Sequence, residues 1–142
     1  MSFCVQAATG VTVTDEVVSQ FSDFKLKRMT AKYIVYVIAD GKISTECLGE
    51  GGFDEFVSHL PADACRYAII DWDFTTNDGR PASKIAFISW CPDTSPVRSK
   101  MLYAGSSAAL TEVLTGVATK ITATDRSEIS EAILNDACKK FA

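Results

Sequence analysis

The stretch SKIAFISWCPDTSPVRSKMLYA at residues 83–104 combines a strand pattern with a helix pattern, and the other elements can be placed around it. Its first part, KIAFISW at 84–90, is apolar at nearly every position, which is typical of a central strand covered on both faces. Ser95-Pro96 then predicts a helix start, because serine is a favoured cap and proline a favoured first helical residue. We expect this helix to end at about Gly105.

The predicted helix carries an apolar stripe with a basic residue on either side. Val97, Met101 and Ala104 fall on one face, with Arg98 on one flank and Lys100 on the other. Such a face either packs into the core, with its basic side chains reaching out to solvent, or docks into a partner's groove with acidic rims. The periodicity alone favours the core helix.

Helix and strand patterns alternate on both sides of this stretch. The predicted strands lie at 33–39, 42–48, 66–74 and 119–124, with Asp40-Gly41 as a hairpin turn. The predicted helices are 14–28, 53–60, a short one ending at Gly116, and a last one after Asp125-x-x-Glu128 with its apolar face at Ile129, Ile133, Ala137 and Phe141. This order predicts an α/β (α+β) fold, a central mixed sheet of about five strands flanked by helices on both faces. We expect one domain over 1–142 with a mobile arm at 1–10.

Charge and composition argue against several classes of partner. The chain has 142 residues, with 14 Lys+Arg against 18 Asp+Glu and a formal net charge of −4. Nucleic acid and anionic membrane surfaces are therefore poor first candidates. No apolar run approaches ~18 residues and no signal pattern is present, so we expect a cytoplasmic protein without membrane insertion. The 5 cysteines are irregularly spaced and form no Cys-x-x-Cys, which indicates neither a disulfide framework nor a metal site.

Two features could belong to an enzyme, and each has a simpler interpretation. Asp71 and Asp73 lie two apart on a predicted strand and share one face, where a carboxylate pair can transfer protons, but a strand end running into solvent is favoured. Cys91 could be a reactive thiol, but its place after Trp90 at a strand end favours a buried, inert one. His59, the sole histidine, has no nucleophile motif beside it. No P-loop, GxGxxG or HExxH pattern occurs, so we expect neither catalysis nor a cofactor.

The 83–104 stretch resembles the signature of the actin-depolymerising factor (ADF)/cofilin family. Further segments resemble other parts of the family in the same order, at 9–17, 22–28, 53–74 and 123–130. The resemblance implies one ADF-homology domain that binds actin monomers, usually in the ADP form, and actin filaments, which such proteins sever and depolymerise. It also implies a protein of the actin cytoskeleton that is not an enzyme.

The resemblance further implies which residues contact actin. On the monomer face it points to an N-terminal segment and to the helix of the 83–104 stretch, with the candidates Thr9, Gly10, Val11, Arg98, Lys100 and Met101. On the filament face it points to Arg80, Lys84 and Lys139. The family's regulatory serine precedes the glycine; Thr9 stands there, and Ser2 is a competing phosphorylation candidate. A phosphate at that position would add about −1.5 to −2 charges beside the actin contact and should repel actin.

Several positions depart from the family pattern. The charged positions that relatives carry on the helix after Tyr103 correspond here to Ser107, Ala108, Thr111 and Glu112. This change weakens any phosphoinositide regulation. The Glu-Arg…Arg set of the last helix corresponds to Asn135, Asp136 and Lys139. These losses favour an alternative function, a monomer-sequestering relative with weak filament side-binding and little severing; in either case we expect a monomeric protein.

Overall fold

The computed structural model describes residues 10–139, which form a six-stranded sheet covered by two helices on each face. The strands are β1 Thr12–Val13, β2 Tyr33–Ala39, β3 Lys42–Gly49, β4 Arg66–Thr75, β5 Pro81–Trp90 and β6 Thr119–Ala123. The helices are α1 Asp15–Lys25, α2 Phe53–Ser58, α3 Val97–Val113 and α4 Glu131–Lys139, with a 3-10 turn at Arg126–Glu128 before α4.

The sheet has the strand order β1-β3-β2-β4-β5-β6 and is mixed, as predicted. The four inner strands are antiparallel neighbours, whereas β1 runs parallel to β3 and β6 runs parallel to β5. The predicted hairpin turn joins β2 to β3, with Asp40 and Gly41 at φ 53° and 74°, as a two-residue type I′ turn requires. The sheet has one strand more than predicted, namely β1. Its two residues form a strand only by pairing with the distant Lys42 and Ile43, so the sequence around them shows no strand pattern.

Alternate residues of the inner strands point to opposite faces and fill two hydrophobic layers. α1 and α3 cover the first layer, to which α3 contributes the fully buried Leu110. α2 and α4 cover the second, to which α4 contributes Leu134. In β5, Phe87 belongs to the first layer and its neighbours Ala86 and Ile88 to the second. The prediction that 84–90 is a central strand is therefore confirmed.

One continuous helix, α3, replaces the two helices predicted between Ser95 and Gly116. Gly105 costs a helix only about 1 kcal/mol relative to alanine, and the residues around it are held against the sheet. The buried face of α3 consists of Tyr103, Ser106, Ala109 and Leu110. The predicted serine cap is also wrong, because Ser95 donates its hydroxyl to the Pro92 carbonyl at 2.5 Å and Pro96 takes the cap position.

Three other elements have an end that differs from the prediction by two residues or more. α1 ends at Lys25 rather than at residue 28, and Lys27 adopts a positive φ of 58° that no helix continues through. α2 ends at Ser58 rather than at residue 60. β5 begins at Pro81 rather than at residue 84, because its pairing with β4 extends to the Thr75–Pro81 pair and shortens the predicted loop.

The last helix begins later than the capping-box pattern predicts. Asp125 caps only the 3-10 turn, where its carboxylate accepts a hydrogen bond from the Ser127 backbone N–H at 2.7 Å. Ser130 then accepts one from the Ile133 backbone N–H at 3.2 Å at the start of α4. The apolar face is shifted by one position from the prediction, because the buried residues of α4 are Leu134 and Cys138.

Two parts of the prediction lie outside the described residues, namely Phe141 and residues 1–9 of the predicted arm. Gly10 is the first residue that the structure describes. Within 10–139, no helix is both long enough and apolar enough to cross a membrane.

Candidate functional site

The N-terminal half of α3 presents apolar side chains to solvent. Val97 and Met101 are each 69% exposed, and Ala104 is exposed on the same face. Among the described residues, only two other large hydrophobic side chains are exposed, Leu26 and Leu48. The core-helix interpretation, which periodicity alone favoured, is therefore wrong for this stripe, and the stripe is accessible to a partner.

The opposite face of α3 is fixed to the sheet by two tyrosines. The Tyr103 hydroxyl accepts a hydrogen bond from the Ile38 backbone N–H at 2.9 Å, and the Tyr67 hydroxyl donates to the Tyr103 carbonyl. The two rings also pack together, with their centroids 4.9 Å apart. Burial raises the pKa of both phenols, so they remain neutral hydrogen-bonding groups. These contacts set which face of α3 points outwards.

Two basic residues flank the exposed stripe at the start of the helix. Arg98 is exposed, and Lys100 is half-buried with its Nζ donating to the Asp93 carbonyl at 2.7 Å. No side chain caps the first turn of α3, and this turn contains no acidic residue. The partial positive charge of the helix N-terminus therefore adds to the charges of the two side chains. The resulting surface, apolar in the middle and positive at the side, suits a partner with an acidic rim.

The N-terminal segment lies next to this helix. β1 contacts α3, and the Thr12 backbone N–H donates to the Gly41 carbonyl at 3.1 Å. Gly10 is exposed with φ 87°, a backbone conformation that glycine adopts without strain. Val11 is only 3% exposed and packs in the first hydrophobic layer, so its side chain anchors the segment. The candidates Thr9 and Ser2 lie outside the described residues.

The three residues expected on the filament face lie around the end of the β4–β5 hairpin and on α4. The Arg80 side chain is 81% exposed in the turn between β4 and β5 and pairs with Asp78 at 3.2 Å. Lys84 is half-buried and faces α4. Burial raises the pKa of the Cys138 thiol on that helix, and the positive charge of Lys84 partly opposes this rise. Lys139 is exposed at the last position of α4, directly after Cys138. Lys84 and Lys139 are thus brought to the same region, and Arg80 lies beyond them at the turn.

One residue of the altered last helix has an internal partner that sequence reasoning missed. The Asn135 side-chain carbonyl accepts a hydrogen bond from the Trp72 indole N–H at 2.7 Å. A partly buried tryptophan N–H needs a hydrogen-bond acceptor, and this requirement is the one sequence signal that could have indicated such a contact for Trp72. Asp136, by contrast, is exposed. On α3, the altered positions Ser107, Ala108 and Thr111 line an open groove of about 470 Å³ between this helix and β6.

The carboxylate pair and the cysteine that could have indicated an enzyme have structural explanations. The Asp71 carboxylate accepts a hydrogen bond from the Lys27 ammonium group at 2.9 Å, which raises the pKa of that lysine, and Asp73 is exposed on the same strand. Burial, together with the neighbouring Cys65, raises the pKa of Cys91 to about 12, so its thiol is protonated at neutral pH. Within residues 10–139, no three metal-ligating side chains gather.

Comparison with known proteins matches both the fold and the sequence. The family described as cofilin/tropomyosin-type actin-binding protein matches residues 10–139. The chain is 45% identical over 132 residues to actin-depolymerizing factor 8 of Arabidopsis thaliana and 44% identical over 132 residues to actin-depolymerizing factor 1 of Oryza sativa subsp. japonica; each alignment covers 90% of this chain and 94% of the relative. The crystal structure of Streptomyces griseoflavus cofilin superposes with a TM-score of 0.85 at 32% identity, covering 94% of this chain and 100% of that one. The chain therefore belongs to the ADF/cofilin family of actin-binding proteins.

Proposed function

We propose that this protein binds actin monomers and filaments and promotes filament depolymerisation, severing and turnover. The observation that carries this proposal is the exposed pair Val97 and Met101 between Arg98 and Lys100, on a helix whose other face is fixed to the sheet. The names of the plant relatives, actin-depolymerizing factors, support the same activity. They do not favour the alternative of a monomer-sequestering protein.

The proposed monomer contact is an apolar anchor with charged neighbours. Met101 and Val97 would enter an apolar cleft of actin, and fully burying such side chains contributes about 1.5–3 kcal/mol each. Arg98 and Lys100 would pair with acidic groups at the rim of that cleft, which fixes orientation and speeds encounter. Gly10 and Thr9, in the N-terminal segment before β1, are proposed to make a further contact with the actin monomer. The ADP-bound monomer is the proposed form of the partner.

The proposed filament contact uses Arg80, Lys84 and Lys139. The exposed Asp136 lies three residues before Lys139 on the same face of α4, so its negative charge opposes that of the lysine towards any acidic partner. We therefore expect filament side-binding that is weaker than in relatives with a basic residue at this position.

The remaining parts of the proposal concern regulation and context. Phosphorylation at Thr9, or at Ser2, would add negative charge to the N-terminal segment, which is proposed to contact actin, and would reduce actin binding. Phosphoinositides would have a weak effect, because Ser107, Ala108 and Thr111 bring no charge to α3. We propose that the whole chain acts as one monomeric, non-enzymatic domain in the cytoplasm, on the actin cytoskeleton.

High-speed co-sedimentation with actin filaments tests the proposed function. We expect the protein to enter the pellet and some of the actin to move to the supernatant, because a depolymerising protein both binds filaments and releases subunits. If actin moves to the supernatant while the protein never pellets, the sequestering alternative holds. If neither protein changes its distribution, the proposed function is wrong.

Asp136→Arg tests the filament face. The substitution changes the local charge by two units beside Lys139, and we expect it to strengthen filament binding several-fold at low salt, with a smaller gain at high salt because the groups are exposed. Affinity for actin monomers should not change. Asp63→Arg, which makes the same charge change in an exposed loop between α2 and β4, serves as the matched control. An equal gain in both variants would show a general charge effect and contradict the assignment.

A further inference from the structure

Two cysteines lie opposite each other where the β4–β5 ladder ends beneath α3. Arg66 pairs with Trp90 at the end of this antiparallel ladder, and the next residues outward are Cys65, just before β4, and Cys91, just after β5. Directly opposed residues in antiparallel strands have Cα atoms about 4.5–5.5 Å apart. Disulfides form when this distance is about 4.4–6.8 Å, so continuing the register by one pair beyond Arg66 and Trp90 would bring the two backbones within range.

The two side chains also point to the same face of the sheet. Both belong to the hydrophobic layer under α3, where Cys65 is part of the core and Cys91 packs against it. The Cys65 thiol is close enough to Cys91 to add to the rise in the Cys91 pKa that burial causes, and both thiols add to the burial-driven rise in the pKa of Tyr67. Two opposed cysteines with their thiols on one face meet the geometric requirement for a bond between them.

The two thiols differ in their access to solvent. Cys65 is 1% exposed, whereas Cys91 is partly exposed and lines the open groove between α3 and β6. An oxidant from solution would therefore reach Cys91 first, and Cys65 would be in position to resolve the oxidised product. An accessible thiol beside a buried resolving thiol is part of the arrangement found at reversible oxidation sites, although the raised pKa of Cys91 makes its oxidation slow at neutral pH.

We propose that Cys65 and Cys91 form a reversible intramolecular disulfide that ties the segment leading into α3 to the chain just before β4. With a peroxide as the oxidant, the Cys91 thiolate attacks one oxygen and becomes a sulfenic acid, and one water leaves after proton transfer. The Cys65 thiolate then attacks that sulfur, displacing hydroxide, which takes up the proton released by Cys65 and leaves as a second water. In total, two thiols and one hydrogen peroxide give one disulfide and two waters, and a dithiol reductant reverses the change.

The bond would act on the segment that leads into α3. The Cys65 thiol now donates to the Ser95 hydroxyl at 3.4 Å, and Ser95 donates to the Pro92 carbonyl. Oxidation replaces the weak thiol hydrogen bond by a covalent link between β4 and the turn at 91–96. Ser95 keeps its bond to Pro92, so the turn need not rearrange.

Peptide mapping of the oxidised full chain tests this proposal. After treatment of the reduced protein with hydrogen peroxide, we expect a non-reduced digest to contain one pair of peptides joined through Cys65 and Cys91. The mass of the pair should be two hydrogens less than the sum of the two separate peptides, and dithiothreitol should separate them again. The rate should rise about tenfold from pH 7 to pH 8, because the thiolate reacts and the raised pKa of Cys91 keeps its fraction small. Recovery of both cysteines as free thiols after prolonged oxidation would overturn the proposal.

Two variants and a melting experiment complete the test. Cys91→Ser should abolish the joined peptide, while Cys47→Ser, which removes a thiol on the other side of the sheet, should leave it unchanged. The oxidised wild-type protein should melt on the order of 5 °C higher than the reduced one, because the bond closes a loop in the unfolded chain. A joined peptide that survives in Cys91→Ser, or a lower melting temperature after oxidation, would contradict the proposed pair or its strain-free fit.

Discussion

Replacing Arg98 and Lys100 together by alanine is expected to weaken the binding of actin monomers by about 30-fold or more, while the protein stays folded. Both residues belong to the start of α3, where Arg98 is exposed and Lys100 donates a hydrogen bond to the backbone carbonyl of the exposed Asp93. Removing them deletes two charges that add to the positive end of the helix. A loss of about 2 kcal/mol, the usual scale for central interface residues, corresponds to this change in affinity.

The measurement is a titration of fluorescently labelled actin monomers at two salt concentrations. We expect the wild-type association rate to fall as salt rises and the double variant to show a smaller fall, because exposed charges act mainly on encounter. Circular dichroism and a melting curve then establish that the variant is folded. Neither side chain is part of a hydrophobic layer, so the melting temperature should remain close to that of the wild type.

A matched double variant separates the site from the overall charge. Arg28→Ala/Lys32→Ala removes the same two charges from exposed positions between α1 and β2. Both residues precede the first residue of β2, whereas Ile38, near the last residue of this strand, contacts α3. The two control positions therefore lie at the end of β2 that is away from this α3 contact. We expect this variant to bind monomers within about twofold of the wild type. Equal losses in the two double variants, or none in Arg98→Ala/Lys100→Ala, would contradict the proposed monomer face.

Those parts of the fold that depend on local chemistry could be predicted from the sequence. Thr14 caps α1 by accepting a hydrogen bond from the Val17 backbone N–H at 3.4 Å, and the Asp-Gly turn sets the β2–β3 hairpin. β1 could not be predicted, because a two-residue parallel strand exists only through its pairing with β3. The continuity of α3 through Gly105 likewise depends on burial against the sheet, which local propensity does not record.

The candidate site was predictable in composition but not in orientation. Val97, Met101 and Ala104 form an apolar stripe on α3, and so do Tyr103, Ala109 and Leu110 on its other side. A helix that is apolar on two sides gives no periodic signal for which stripe meets the core. The position of the sheet decides, through the contacts of Tyr103 with Ile38 and Tyr67. The filament-face residues were found only by resemblance, because isolated basic residues have no periodic signal.

Leu110→Ala and Met101→Ala are expected to differ sharply in their effect on stability, although both shorten an apolar side chain on α3. Leu110 is fully buried in the layer between α3 and the sheet, so truncation leaves a cavity and should lower the free energy of unfolding by about 2–5 kcal/mol. Met101 is 69% exposed, so its truncation should change that free energy by less than about 0.5 kcal/mol. Urea unfolding, followed by circular dichroism, measures both values.

Actin binding should reverse the order of the two variants. Met101→Ala should weaken monomer binding about tenfold or more, because the proposed contact buries this side chain and a loss of about 1.4 kcal/mol is tenfold. Leu110→Ala, measured in the absence of denaturant where the folded form still predominates, should bind within a few-fold of the wild type. If Met101→Ala unfolds easily and Leu110→Ala does not, the orientation of α3 is wrong. If both variants keep the expected stabilities and bind actin equally well, the orientation of α3 is right but the exposed stripe is not the actin contact. The two measurements therefore distinguish an error in the fold from an error in the function.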